Sequence, residues 1–211
     1  MNTIQIPVFQ SAYFPPIQQF AHFTKFDKVF IEQNDTYSKQ TFRNRLQIAG
    51  PNGLQNLSIP VEKPFGSKTK MKDIIIKDSI DWQDNIFKSI QTAYKNSPFY
   101  EYYIDDFMPF FEQKYNKLID LNIDILNKIL ESLEIECQVV LTDKYATNYQ
   151  LDNREIVHPK PQFRISDPSF NQKQYHQLFE EKYGFLPNLS ILDLIFNEGP
   201  LSYFYLKNSI K

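Results

Sequence analysis

The chain has few of the residues that build metal clusters and crosslinks. Cys137 is the one cysteine in 211 residues, which excludes a disulfide framework and a thiolate metal cluster. The three histidines, His22, His158 and His176, lie far apart, and no local His/carboxylate triplet has ligand spacing. No metal and no cofactor is therefore expected. Glycine is scarce, at five residues, and no G-x-G-x-x-G run, P-loop, G-x-S-x-G elbow or H-E-x-x-H helix occurs. Dinucleotide enzymes, P-loop ATPases, α/β-hydrolases and zincins are set aside on that ground. No apolar run approaches the roughly 20 residues of a membrane helix. The opening "MNTIQIPVFQSAYF" has no charged leader, so a cytoplasmic location without membrane insertion is expected. A general excess of base is missing too: the net charge is −2 and the pI about 5.9, which argues against a nucleic-acid partner.

Aromatic and apolar side chains are plentiful, with 19 Phe, 13 Tyr and 42% hydrophobic residues. That content suits one packed domain over residues 1–211. Cys137, in "IECQVVL", reads as an inert core residue at a strand start. The charge is unevenly spread. From Lys39 to Lys72 there are seven bases and one acid, Glu62, so this segment carries +6 and the rest of the chain −8. A local basic patch on an acidic body fits a small anionic ligand better than a long polyanion.

The patterning gives a sequence of elements. "IQIPVF" (4–9) and "KVFIEQ" (28–33) read as strands, with Pro15 and Pro16 leading into a short helix between them. "FRNRLQIA" and "QNLSIPV" alternate around "GPNG" and predict a β-hairpin that places Arg43 and Arg45 on one face. "DIIIK" (73–77) suggests one more strand. After residue 80 the period turns helical. Asp81 is the candidate N-cap of a helix from Trp82, and Ser97 and Pro98 open another, which Pro109 ends or kinks. Leu118, Leu121, Ile125, Ile129 and Leu133 mark the most strongly periodic helix. "CQVVLT" reads as a strand, and 143–172 as an irregular polar segment. "QKQYHQLFEEKYG" reads as a helix stopped by Gly184, and "LSILDLIFNEG" as the last helix. The fold class expected is α/β: a single domain with a mixed sheet, a β-hairpin in the N-terminal half and packed helices in the C-terminal half.

Four constellations carry possible chemistry. Lys39, Gln40, Arg43, Asn44 and Arg45 combine Arg forks with amides that suit a phosphate or carboxylate, set against the plain alternative of a solvated hairpin face. Tyr13 lies in "AYFPPIQQF", where a loop after a first strand is a common ligand position. In "DNREIVHPK", Asp152, Arg154, His158 and Lys160 share one loop. His158 is the first choice for acid/base work, with Asp152 as a carboxylate to orient it. Asp193 and Asn197 sit on an apolar helix, where Ser190-x-x-Asp193 equally matches a capping box.

Taken together, "AYFPPIQQF", "IEQNDTYSKQTFRNR", "LSIPVEK", "DWQDNIFKSIQTAYKNSPFYEYYIDDFMPFF" and "FLPNLSILDLIFNEGP" resemble the WbqC-like proteins, in a form like that of Bacteroidetes. The resemblance implies a role in cell-surface polysaccharide of the O-antigen or lipopolysaccharide type. It points to a transferase acting on an anionic sugar or sugar nucleotide, with acyl or aminoacyl transfer as the most concrete version. The partner would be a small anionic ligand, a nucleotide sugar or an acyl donor. The alternatives are a non-catalytic binding or assembly factor and a hydrolase of a phosphorylated substrate. One departure is visible: position 86, where the family usually has His four residues after its Trp, is Ile86 here.

Overall fold

The computed structural model describes residues 6–78 and 81–211. Strands β1 (Val8–Gln10) and β2 (Lys28–Glu32) run parallel, joined by helix α1 (Ile17–Phe23). Positions 4 and 5 of the expected first strand lie outside the described residues. Hairpin strands β3 (Arg45–Gly50) and β4 (Gly53–Ser58) pair antiparallel from Arg45↔Ser58 to Gly50↔Gly53. The turn is therefore Pro51-Asn52, and Gly53 takes a φ of 93° that a glycine accepts at little cost. β5 (Val61–Glu62) and β6 (Ile75–Ile76) form a second antiparallel ribbon, so "DIIIK" does contain a strand.

Helices α2 (Trp82–Tyr94), α3 (Tyr100–Phe107), α4 (Pro109–Glu112) and α5 (Leu118–Ser132) follow. Strand β7 (Gln138–Leu141) then returns to pair parallel with β2, giving the order β1-β2-β7. The chain ends in α6 (Glu180–Tyr183), α7 (Ile191–Glu198) and α8 (Ser202–Asn208). The α/β class holds, and its strands are divided among a parallel sheet and two antiparallel ribbons rather than gathered in one mixed sheet. Sheet, hairpin and helices share one core: Phe9, Ile31, Leu46, Ile90, Ile125 and Phe196 all belong to it.

β1 is buried at every position, as a parallel strand covered on both faces is, whereas β2 is only partly buried and β7 stays half-exposed. α1 is buried all round, Gln18, Gln19 and His22 included. Its polar groups stay buried because they find partners. Gln19 Nε2 donates to the Gln10 carbonyl at 3.1 Å, and Gln18 Nε2 and His22 Nε2 both meet Asp167 Oδ2 at 2.8 Å. The irregular segment 143–172 is a structural partner as well. It lies along the free edge of β1, with Val8 N–H donating to the Leu151 carbonyl and Asn153 N–H to the Val8 carbonyl.

Several expected boundaries move, each for a local reason. Phe42–Asn44 is a 3-10 turn ahead of β3, so Arg43 is not on the strand and does not share a face with Arg45. Tertiary bonds hold that turn: Asn122 Nδ2 donates to the Arg43 carbonyl at 2.8 Å. Asp81 occupies the N-cap position of α2 at φ 67° without a capping hydrogen bond. α3 starts at Tyr100, after a turn in which the Tyr100 amide reaches the Ser97 carbonyl. Pro109 does divide the helix as expected, opening α4. The helix expected over 172–184 shrinks to α6, because Tyr175 and Gln177 are drawn into the core. Gln177 bonds both the amide and the carbonyl of Leu186, at 2.8 and 2.9 Å, in place of a helical neighbour. α7 is not the last helix: Gly199 and Pro200 close it, and α8 follows.

Candidate functional site

Beyond the C-terminal ends of β1 and β2 the chain opens a cavity of about 560 Å³, where open parallel sheets bind ligands. Gln10 ends β1, and Asn34, Asp35 and Thr36 follow β2 directly. Arg43 comes from the 3-10 turn, Lys70 from the loop before β6, and Tyr145, Glu155 and His158 from the irregular segment. Ser38 and Thr41 add hydroxyls. The wall is thus made of amides, hydroxyls, carboxylates and bases, the donor and acceptor mix that a polyhydroxylated ligand needs.

The electrostatics are organised around two guanidinium groups. Arg43, 3% exposed, pairs with Asp35 through Nη2 and donates to Thr41 Oγ1 at 3.3 Å. Burial lifts the Asp35 carboxyl above the usual aspartate range, against the opposing pull of Arg43. Arg154 grips Asp152 with Nε, at 2.8 Å, and with Nη2. Its guanidinium also sits 5.1 Å from the Tyr145 ring and 5.3 Å from that of Tyr149. That grip is the largest cause of the depressed Asp152 carboxyl pKa. Arg154 Nη1 stands 3.6 Å from Glu32 Oε2, deep at the end of β2. Glu32 Oε2, Asp35 Oδ1, Arg43 Nε and Arg154 Nη1 are buried and have no hydrogen-bond partner among the described residues. Buried polar atoms are rarely left unpaired. Glu32 Oε2 and Arg154 Nη1 face each other as an ion pair, so Asp35 Oδ1 and Arg43 Nε are the two left open, on residues that line the first cavity.

His158 is buried at the cavity wall, against the edge of the Phe163 ring at 5.2 Å. Burial depresses its pKa, with Arg164 and Arg43 pushing the same way and the Lys160 carbonyl and Glu155 opposing, so the ring is neutral near pH 7. Lys160 offers Nδ1 an amide N–H at 3.0 Å and a carbonyl oxygen at 3.2 Å. Nδ1 therefore has a partner in either protonation state. Asp152 is not its orienting carboxylate, as Arg154 occupies it. The Lys160 ammonium instead bonds the Gln40 side chain and ties the His158 loop to the opposite segment.

Residues 36–45 form a partition. Thr36, Ser38, Thr41 and Arg43 face the first cavity. Tyr37, Lys39, Gln40, Asn44 and Arg45 face a second one of about 600 Å³, completed by Ser58 to Lys63 and Lys77. The expected joint Arg43–Arg45 site is thus split across a wall.

The remaining candidates lie elsewhere. Tyr13 is fully buried, with its hydroxyl unpartnered among the described residues, and lines neither cavity. Asp193, 1% exposed, accepts hydrogen bonds from Tyr94 (2.8 Å), Tyr175 (2.6 Å) and Gln177 (3.1 Å). Burial raises its pKa to about 6. It is a core node rather than a cleft residue, and its carboxylate does not reach back to the Ser190 amide. Ser190 alone does the capping, accepting from Leu192 N–H. Asn197 is buried, donating to the Asp193 carbonyl at 2.7 Å.

The WbqC-like protein family profile matches residues 10–167, about three quarters of the chain. The chain belongs to the WbqC-like family. That match contains every residue lining the first two cavities and stops short of Asp193 and Asn197. A Mycobacterium tuberculosis protein named "Uncharacterized protein Rv1507c" is 24% identical over 229 residues, covering 96% of this chain and 97% of its own length. No solved structure matches. Ile86 is 4% exposed in the core face of α2 and lines neither cavity.

Sequence reasoning missed Gln10, Asn34, Asp35, Lys70, Tyr145 and Glu155 as wall residues. The polar run "EQND" directly after a strand was the available signal for two of them.

Proposed function

We propose that this WbqC-like protein acts on a sugar or sugar-nucleotide intermediate of cell-surface polysaccharide, transferring an acyl or aminoacyl group to it. The observation that carries the reading is the position of His158, neutral and partly desolvated, in one cavity with Asp35, Arg43, Glu155 and a lining of amides and hydroxyls. His158 takes the proton from the sugar's amino or hydroxyl group as the new C–N or C–O bond forms. It then returns that proton to the leaving group as the bond to the donor breaks. Lys70, exposed at the rim, holds negative charge, Arg43 is kept in place behind it by Asp35, and Gln10, Asn34 and Glu155 orient hydroxyl groups.

The test is mass spectrometry of nucleotide sugars incubated with acyl-CoA or aminoacyl donors. Wild-type protein should add the donor group, and His158→Gln should lower the rate by about 10²–10⁴-fold with ligand binding retained. Equal turnover by His158→Gln would remove the acid/base role. Binding without turnover in the wild type would favour a ligand-binding module instead.

A further inference from the structure

The second cavity, on the far side of the 36–45 partition, differs in chemistry from the first. Lys39, Arg45, Lys63 and Lys77 line it against a single carboxylate, Glu62. Among the described residues only Lys77 approaches that carboxylate, at 4.0 Å, a distance with little pairing value at an exposed site. Arg45 spends one N–H, Nε, on Ser58 Oγ at 3.2 Å, which leaves the Nη fork uncommitted among the described residues. Such a fork matches two oxygens of a phosphate. The rest of the lining includes half-exposed Pro60 and Val61, an apolar strip backed by the nearly buried Tyr37 and Ile59, with the Asn44 amide beside it. Asn44 Nδ2 is held by the Ile59 carbonyl at 2.7 Å, which fixes the floor of the cavity.

We infer that the second cavity binds the nucleoside diphosphate end of a ligand: the phosphates at Arg45, Lys63 and Lys39, and the base along the apolar strip. The charge arithmetic agrees. Four bases against one acid leave a net charge of +3, an excess over the two negative charges of the diphosphate in a nucleoside diphosphate sugar. The partition is a single stretch of chain whose residues divide between the two sides. Ser38 and Thr41 face the first cavity while Lys39 and Gln40 face the second. Gln40 is held at φ 60°, in the left-handed region, and the Lys160 ammonium bonds its side chain. The His158 loop is thereby fastened to the residue beside the phosphate site, which couples the two ends of the ligand. The inference rests on the first cavity taking the sugar end, and it identifies the substrate class as a nucleoside diphosphate sugar.

The experiment is isothermal titration of the full chain with UDP and ADP, each without a sugar. Wild-type protein should bind at least one of them, more weakly as salt is raised. Arg45→Gln with Lys63→Gln should weaken binding by about tenfold or more, the loss expected for two charge-assisted contacts. A second pair, Lys39→Gln with Lys77→Gln, changes exposed side chains and guards against a folding defect in the first. His158→Gln should bind the nucleotide as the wild type does. Absence of nucleotide binding by the wild type would overturn the inference, as would affinity unchanged in both double variants. Nucleotide binding that depends on Arg45 and Lys63, together with full turnover by His158→Gln, would uphold the second cavity and reject the acid/base reading of the first.

Discussion

Arg43 and Arg45 show how far two residues of one short motif can diverge. Both look like free cations in "TFRNR", yet Arg43 is buried against Asp35 while Arg45 stands half-exposed at the second cavity. Arg43→Ala leaves the largely buried Asp35 carboxylate without its partner and should cost about 3–5 kcal/mol. Arg45→Ala should change stability by no more than about 0.5 kcal/mol. Urea denaturation separates the two; similar losses would contradict the burial argument. Asp193 gives a pH signature. Its folded pKa of about 6 lies above the ordinary aspartate value of about 3.9, so the folded chain binds this proton more tightly than the unfolded chain. The contribution favours folding in full below about pH 4 and is lost as pH rises through about 6. The melting-temperature gap between wild type and Asp193→Asn should therefore be wider at about pH 4 than at about pH 7. A constant gap would show that Asp193 does not titrate in this range.

At the scale of elements, the hairpin, α1, α5 and β7 could be read from alternation, proline placement and helical spacing. Those signals are local, and the structure keeps them. The failures came where tertiary partners outbid local preference. Tyr175 and Gln177 leave a helical pattern to bond the buried Asp193 carboxylate. The Arg43 turn is held by Asn122 on α5. α8 follows so closely on Gly199-Pro200 that the usual stop signal hid it. That closure is exacting. Gly199 sits at φ 52°, and an added Cβ would lie 2.5 Å from the Phe99 ring. Gly199→Ala should destabilise by about 1–3 kcal/mol, through backbone strain and overpacking together. Thermal unfolding measures it, and a neutral result would mean that α7 and α8 can reseat around Phe99.

At the scale of the molecule, the site arises from topology, which no single segment announces. β1, β2 and β7 become neighbours only through parallel pairing across the whole chain, and that pairing gathers Gln10, Asn34, Asp35 and Glu155 at one end. His158 was legible as a residue type in a polar loop. Its neighbours were not, because the loop docks on the edge of β1 through backbone bonds that carry no side-chain signature. Among the described residues no helix is long and apolar enough to cross a membrane. The proposed function has a sugar-type ligand entering between the 34–45 segment and the 151–160 loop. Hydrogen–deuterium exchange with and without a panel of nucleotide sugars tests it most directly. A binding nucleotide sugar should slow exchange in both segments at once. Protection confined to other parts of the chain, or no protection with any member of the panel, would contradict it.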